Sequence, residues 1–317
     1  MNNIINLFIC FIFFLNSIYQ LNNNELKLIF SEKIHNQTIN YIDINKKNDT
    51  LITASGDKTC KIFSLKNLKI NKSIELNKEN VNMAIFSPDN KKISLASSDK
   101  TLIVLDTTSF KEIIKINFKE NVSFIAYSNN GKYLAVASDN NTITILDTEK
   151  YIRLIELKKD FFYISGLAFS KDDKYLIAIS NGENIYTFDM STFNTKCILK
   201  HNQGYLKALS LKDFSYIFTA GDDGSIKLWN FEKCNFEKEY NFSKSSILSL
   251  SLKNKENKLI FGTDFSDKKV KILDLDKNII IKELIDFNSD INTIATFNDY
   301  LIVGTGDGFL KIYKMNI

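Results

Sequence analysis

The sequence predicts an all-β protein built from seven copies of one four-stranded antiparallel unit, and three observations lead there. One pattern recurs along the chain, as in "VNMAIFSPDNKKISLASSDKTLIVLDT" (81–107) and "VSFIAYSNNGKYLAVASDNNTITILDT" (122–148). The residue that closes the third strand of each copy falls at Phe63, Leu105, Leu146, Phe188, Trp229, Leu273 and Tyr313, with steps of 42, 41, 42, 41, 44 and 40. After residue 25 the apolar runs are short and are broken by Asp, Asn and Gly turns, a strand pattern with no long helical period.

Taken in order, the amino terminus stands apart. Leu7–Leu15 is nine uninterrupted apolar residues followed by the polar "LNNNE". That is short for a membrane span and suits the apolar core of a secretory signal, although no Lys or Arg precedes it and Ser17 is the best small residue before a cut. Residues 1–20 are read as a signal or a hydrophobic anchor, with a buried segment as the remaining alternative. Next, "ELKLIFSEK" (25–33) is a spare strand ahead of the first copy. The copies then occupy about 34–75, 76–117, 118–159, 160–200, 201–242, 243–286 and 287–317, the last ending at its third strand.

Within a copy, a strand such as Val81–Phe86 leads into a hairpin turn of the type "SPDNK" or "SNNGK". A second strand runs to "SGDKT", "SSDKT" or "GDDGS", and a third ends at the Trp229 position. A fourth, more polar strand follows, such as Lys111–Phe118. Asp, Asn and Gly suit the left-handed backbone of such turns, and Pro88, the single proline, sits in one of them. The inner strands are apolar on both faces, as strands of a sheet covered on both sides must be. The 44-residue step contains "TDFSDKK", a turn two residues longer than its equivalents.

Composition narrows function by exclusion. The 317 residues carry a formal charge of +4 spread over many lysines, with one arginine, Arg153, and no run of five like charges. This argues for solubility and shows no basic groove for nucleic acid. The four cysteines, Cys10, Cys60, Cys197 and Cys234, form no C-x-x-C pair and no disulfide framework, which leaves room for a single bridge. "VGTGDGF" (303–309) resembles a phosphate loop but precedes a strand, so no helix terminus is present to hold phosphate. "DLDKN" (274–278) begins like a calcium loop, but Ile279 stands where Gly is required and Ile285 where the closing Glu is required. Six N-x-S/T sequons start at Asn36, Asn48, Asn71, Asn121, Asn140 and Asn241, in a chain so rich in Asn that several arise by chance.

Seven phased copies over residues 25–317 resemble the WD-repeat family, whose fold is a β-propeller. The resemblance implies an all-β, seven-bladed β-propeller of four-stranded antiparallel blades, with residues 25–33 completing the last blade and closing the ring. In that family a His before the first strand, a Ser or Thr on the second, an Asp in the next turn and a Trp on the third form a buried hydrogen-bonded group. The fifth copy supplies His201, Thr219, Asp223 and Trp229; the first supplies His35, Thr53 and Asp57, with Phe63 in place of Trp. Each pair is 166 residues apart. The Asp position is filled at 57, 99, 223, 267 and 307 and replaced by Asn140 and Gly182. A carboxylate copied around a ring stabilises turns; a catalytic group would occur once. With both histidines so used, no nucleophile–base pair can be assembled.

The resemblance implies a non-enzymatic scaffold for protein partners, monomeric, without cofactor or metal, touching membrane only through residues 1–20 if these are retained. The amino-terminal stretch points to the secretory pathway, periplasm or exterior, with cytoplasm as the alternative. The partner face is the one carrying the loops before each first strand and between second and third strands. Its candidate contacts are Phe161, Phe162, Tyr163, Tyr205 and Phe265. The other reading is an extracytoplasmic propeller hydrolase or ligand-binding protein, for which Asp43 in "INYIDI" is the one carboxylate noted on an innermost strand.

Overall fold

The computed structural model describes residues 26–159, 162–182, 184–201, 204–213 and 215–315. The signal or anchor reading of residues 1–20, and Phe161, lie outside the described residues. Among the described residues there are seven antiparallel sheets of four strands each, and the one helical element is a single 3-10 turn at Asn254–Glu256. Blade 1 consists of Ile39–Asn45, Thr50–Ser55, Cys60–Ser64 and Lys69–Ile74, hydrogen-bonded in chain order, and blades 2 to 6 repeat this plan. Blade 7 takes its first three strands from Ile291–Phe297, Tyr300–Thr305 and Phe309–Met315, and its outermost strand from Leu26–Lys33.

That splice closes the ring. Leu26 pairs with Met315 and Lys33 with Phe309 along one antiparallel ladder. Just beyond it, the Ile34 and His35 amides both donate to the Gly308 carbonyl, at 3.0 and 3.2 Å. Gly308 has φ of +89°, and a Cβ there would lie 2.1 Å from the His35 carbonyl oxygen, so only glycine fits this junction.

The apolar core lies between blades. The buried hydrophobic residues form seven clusters, each made by two neighbouring blades, such as Phe63, Ile39, Leu310 and Ile312 across the closure. Each blade is thus covered on both faces, which is why its inner strands need no polar alternation. The innermost strands also share a β-bulge at their second residue, for example Asn40, Asn82 and Ser165. A bulge re-aims a side chain, and here it aims one at the next blade. Asn40 donates to the Val81 carbonyl at 2.9 Å, Asn82 to Val122 at 2.8 Å and Ser165 to Leu206 at 2.6 Å. In blade 6 the neighbouring Ser249 makes the same bond to Ile291. At these four of the seven junctions a neutral side chain therefore locks blade to blade near the axis.

Turns divide the molecule into two faces. The upper face carries the loops before each first strand and the turns between second and third strands; the lower face carries the remaining turns. The turns of "SGDKT" type place a left-handed residue at Lys58, Lys100, Asn141, Gly224, Lys268 and Gly308. On the lower face, the connections between third and fourth strands end in a left-handed Leu68, Phe110, Tyr151, Phe193, Cys234 or Asn278. All but Asn278 fold their side chains back against the inter-blade core, which offsets the cost of an unfavourable backbone. The residue that begins each connection holds the turn: Asp106 accepts the Thr108 and Ser109 amides, and Asn230 those of Glu232 and Lys233.

Cys197, on the outer strand of blade 4, and Cys234, in a lower turn of blade 5, are joined by a disulfide with Cα atoms 6.0 Å apart. It ties two neighbouring blades at the rim.

Candidate functional site

The two histidines sit in equivalent places with their rings turned differently. In blade 5 the Trp229 indole N–H donates to Thr219 Oγ1 at 2.8 Å, and that hydroxyl lies 3.2 Å from His201 Nδ1. His201 Nε2 lies 3.2 Å from Asp223 Oδ2, which also accepts the Ser225 hydroxyl at 2.7 Å. A neutral imidazole protonated on Nε2 gives every member one role: indole to hydroxyl, hydroxyl to Nδ1, Nε2–H to carboxylate. The imidazole and indole rings are tilted by 44° with centroids 6.2 Å apart, so the Thr219 hydroxyl, and not a ring stack, links them. Lys227 adds a bond to the His201 carbonyl at 2.7 Å.

In blade 1 His35 uses Nδ1 towards Asp57 at 2.9 Å and Nε2 towards Thr53 at 2.7 Å. Phe63 replaces the indole, and Phe30 of the closing strand packs edge-on against it at 4.8 Å. Both imidazoles are buried. Among the described residues no group of three or more His, Cys, Asp or Glu is placed to hold a metal ion. Burial pushes the Cys60 thiol up, away from a reactive thiolate.

These environments set an acid limit on stability. Burial lowers the His35 pKa despite the Asp57 charge beside it. Burial alone would raise Asp57, but bonds from the Thr59 hydroxyl, the Asn36 amide and His35 together hold it at about 2. His35 therefore contributes stability fully above its unfolded value of about 6.5 and loses it as pH falls through its lowered folded value. Asp57 contributes above about pH 4 and loses this as pH falls through its folded value. Thermal melts from pH 7.5 to 4 are expected to show a His35→Asn variant less sensitive to acid than the parent. Identical pH profiles for the two would contradict a neutral buried His35.

The upper-face aromatics are brought together in part. Phe162 is 69% exposed and Tyr205 is 51% exposed, and their rings stack at 6.5 Å with planes 8° apart across the boundary of blades 4 and 5. Two glycines make room for them. At Gly182, which takes the turn-Asp position, a Cβ would meet Phe162 Cβ at 3.1 Å; at Gly221 a Cβ would strike the Tyr205 carbonyl oxygen at 2.0 Å. Gly182, at the turn-Asp position of blade 4, thus lies against the Cβ and backbone of Phe162. Phe265, 71% exposed, stands on the long turn of blade 6. Tyr163 is different. It is 37% exposed, and burial followed by the charge of Asp139 pushes its phenol up, so its ring is partly committed to packing.

Comparison with known proteins bears on this site through the repeats. The family described as "WD domain, G-beta repeat" matches residues 26–64 and 195–230. The "Anaphase-promoting complex subunit 4 WD40 domain" family matches residues 84–172. Among curated proteins, THO complex subunit 3 of Arabidopsis thaliana is 32% identical over 73 residues, 23% of this chain and 23% of that protein. Apoptotic protease-activating factor 1 of Homo sapiens is 28% identical over 124 residues, 38% of this chain and 10% of that protein. The matches span well under two thirds of either relative. They point to repeats of the kind that build interaction scaffolds, and they fall on blades whose geometry agrees with them. With seven four-stranded blades in a closed ring and repeat matches in several of them, this chain belongs to the WD-repeat family.

Proposed function

We propose that this protein is a non-catalytic scaffold that engages a protein partner through its upper face and works outside the cytosol. The observation that carries the partner site is the stacked, solvent-exposed Phe162–Tyr205 pair, with Phe265 on the same face. Large aromatic rings held in fixed positions lose little conformational entropy on binding and are the residues most often dominant in interfaces. The complex-subunit names among the matches favour a part in an assembly over a free-standing activity. Export is supported by the apolar stretch Leu7–Leu15 and by the Cys197–Cys234 bridge, since disulfides persist mainly in oxidising compartments.

The test is capture of partners from source cells by the tagged full chain, followed by affinity measurement with the purified partner. Changing Phe162 and Tyr205 together to Ala is expected to weaken binding by about 2 kcal/mol or more. Changing Lys171 and Lys174 to Ala on the lower face is expected to shift affinity by less than about 0.5 kcal/mol. Loss of binding in the lysine variant with retention in the aromatic variant would place the partner on the other face. Export is tested separately by the amino terminus of the mature protein: a chain beginning at Met1 and found only in the cytosol contradicts it.

A further inference from the structure

Blades 7 and 1, which meet at the closure, depart from the repeat in the charge of their lower ends. In every blade one register position, at the lower end of the third strand, faces the start of the second. It holds Asp106, Asp147, Asp189, Asn230 and Asp274 in blades 2 to 6. In blade 1 it is Ser64, and in blade 7 it is Lys314. The other lower turn of blade 1 differs in the same sense. Lys47 stands where blades 2 to 4 have Asp89, Asn130 and Asp172, each of which accepts the serine hydroxyl that opens its turn.

Six exposed lysines gather at this lower rim: Lys27 and Lys314 of blade 7, and Lys47, Lys66, Lys69 and Lys72 of blade 1. Leu65 and Leu68 pack in one core with Ile29, Phe30 and Tyr300, which draws the lysines beside them together across the seam. Against them stand the exposed Asp49 and Asp299, with Glu25 preceding Leu26 in the sequence. Lys46, next to Lys47, is partly offset by Asp43. Among the described residues none of the six forms an ion pair, whereas in other lower turns Lys174 pairs with Asp172, Lys253 with Glu256 and Lys258 with Asp274. Lys27 and Lys314 also face each other directly across the closing ladder, where like charges cost stability.

The chain enters the ring at the same rim. Leu26 pairs with Met315, whose amide donates to the Asp299 carbonyl in a lower turn. Residues 16–25 join Leu26 to the apolar run Leu7–Leu15, a reach of at most about 35 Å. That run is short for a span, and a short apolar attachment holds to a bilayer only loosely until a basic surface is added. A spread of lysines on a convex rim, without an arginine fork, suits diffuse negative charge better than a shaped acidic ligand.

We propose that the lower rim of blades 7 and 1 rests on an anionic lipid bilayer, as a second attachment beside the apolar run Leu7–Leu15. In this arrangement residues 1–20 are retained as the anchor, and the upper face points away from the membrane, towards its partner.

The test is flotation of the full chain with vesicles of phosphatidylcholine alone, or of phosphatidylcholine and phosphatidylserine at about three to one, in about 0.1 M salt. Binding to the anionic vesicles is expected to be at least about tenfold stronger, and salt of about 0.5 M is expected to remove the difference. Changing Lys27, Lys66, Lys69 and Lys314 together to Gln is expected to abolish the preference, with circular dichroism reporting an intact fold. Changing four exposed upper-face lysines, Lys78, Lys119, Lys159 and Lys244, to Gln removes the same charge and is expected to leave the preference in place. Phe162→Ala with Tyr205→Ala is expected to leave vesicle binding unchanged, so the lipid surface and the partner face are read separately. Equal binding to the two vesicle types, an undiminished preference in the lower-rim variant, or an equal loss in the upper-face variant each overturns the proposal. So does tight binding of polyglutamate or single-stranded DNA with indifference to lipid charge, which would assign the rim to an acidic protein or a nucleic acid. Should the fourfold lower-rim variant unfold, Lys66→Gln with Lys69→Gln decides: an undiminished preference there overturns the proposal as well.

Discussion

Deleting residues 1–33 is expected to turn a soluble ring into an aggregating one, while a chain starting at Leu26 remains folded and monomeric. The difference is one strand. Leu26–Lys33 is the outermost strand of blade 7, and its loss uncovers the length of Phe309–Met315 as a row of unpaired amides and carbonyls. A long bare edge pairs readily with another chain. Packing suffers at the same place, because Leu26, Ile29 and Phe30 lie against the cores on either side of the closure, and Phe30 is the edge-on partner of Phe63. The Gly308 carbonyl would also lose its Ile34 and His35 donors if the freed end no longer stayed in place. Size-exclusion chromatography with light scattering and thermal melts distinguishes the two chains. Equal melting temperatures and equal monomer fractions would mean that the ring does not depend on this strand.

Much of this architecture is legible in the sequence because repetition converts a weak local signal into a strong one. A single hairpin such as "SNNGK" between apolar runs is ambiguous; seven in phase are not. Closure is legible for a related reason: one spare strand at the front and one missing at the back are visible by counting. What escapes the sequence is set by contacts between copies. The left-handed positions at Leu68, Phe110, Tyr151 and Phe193 carry residues that local backbone preference disfavours, and only the inter-blade core accounts for them. Gly182 reads as a degenerate Asp, and its contact with Phe162 is not visible from the sequence. The Cys197–Cys234 bridge joins positions 37 residues apart in different blades, a proximity that neither spacing nor periodicity reveals. Asp43 stands out in the sequence only as an odd acid; its bond to Phe86 requires the neighbouring blade.

Trp229→Ala is expected to destabilise the protein by about 3–5 kcal/mol, the usual cost of emptying a large buried aromatic site. Trp229 is almost wholly buried, packs against Phe236 with centroids 5.4 Å apart, and belongs to the core between blades 4 and 5 with Phe231, Ile217 and Leu206. Two contributions are combined in that figure, and Trp229→Phe separates them. The ring is largely retained, while the indole donor to Thr219 is lost, so the expected cost is nearer 1–2 kcal/mol, of which the hydrogen bond accounts for about 1 kcal/mol. Blade 1 shows that this state is tolerated: Phe63 occupies the equivalent place, and Thr53 contacts His35 without any indole. His201→Ala removes the next member and leaves Thr219 and Asp223 without their shared partner, at about 1–3 kcal/mol. If the indole, the hydroxyl and the imidazole act as one relay, His201→Ala and Trp229→Phe together cost measurably less than the sum of the two alone. Denaturant unfolding followed by circular dichroism is the suitable measurement, since Trp229 is the chain's only tryptophan and its fluorescence disappears with it. Strict additivity would mean that the indole and imidazole are independent neighbours. A Trp229→Ala cost below about 1 kcal/mol would mean that the blade 4–5 interface relaxes into the space, in conflict with the close packing around it.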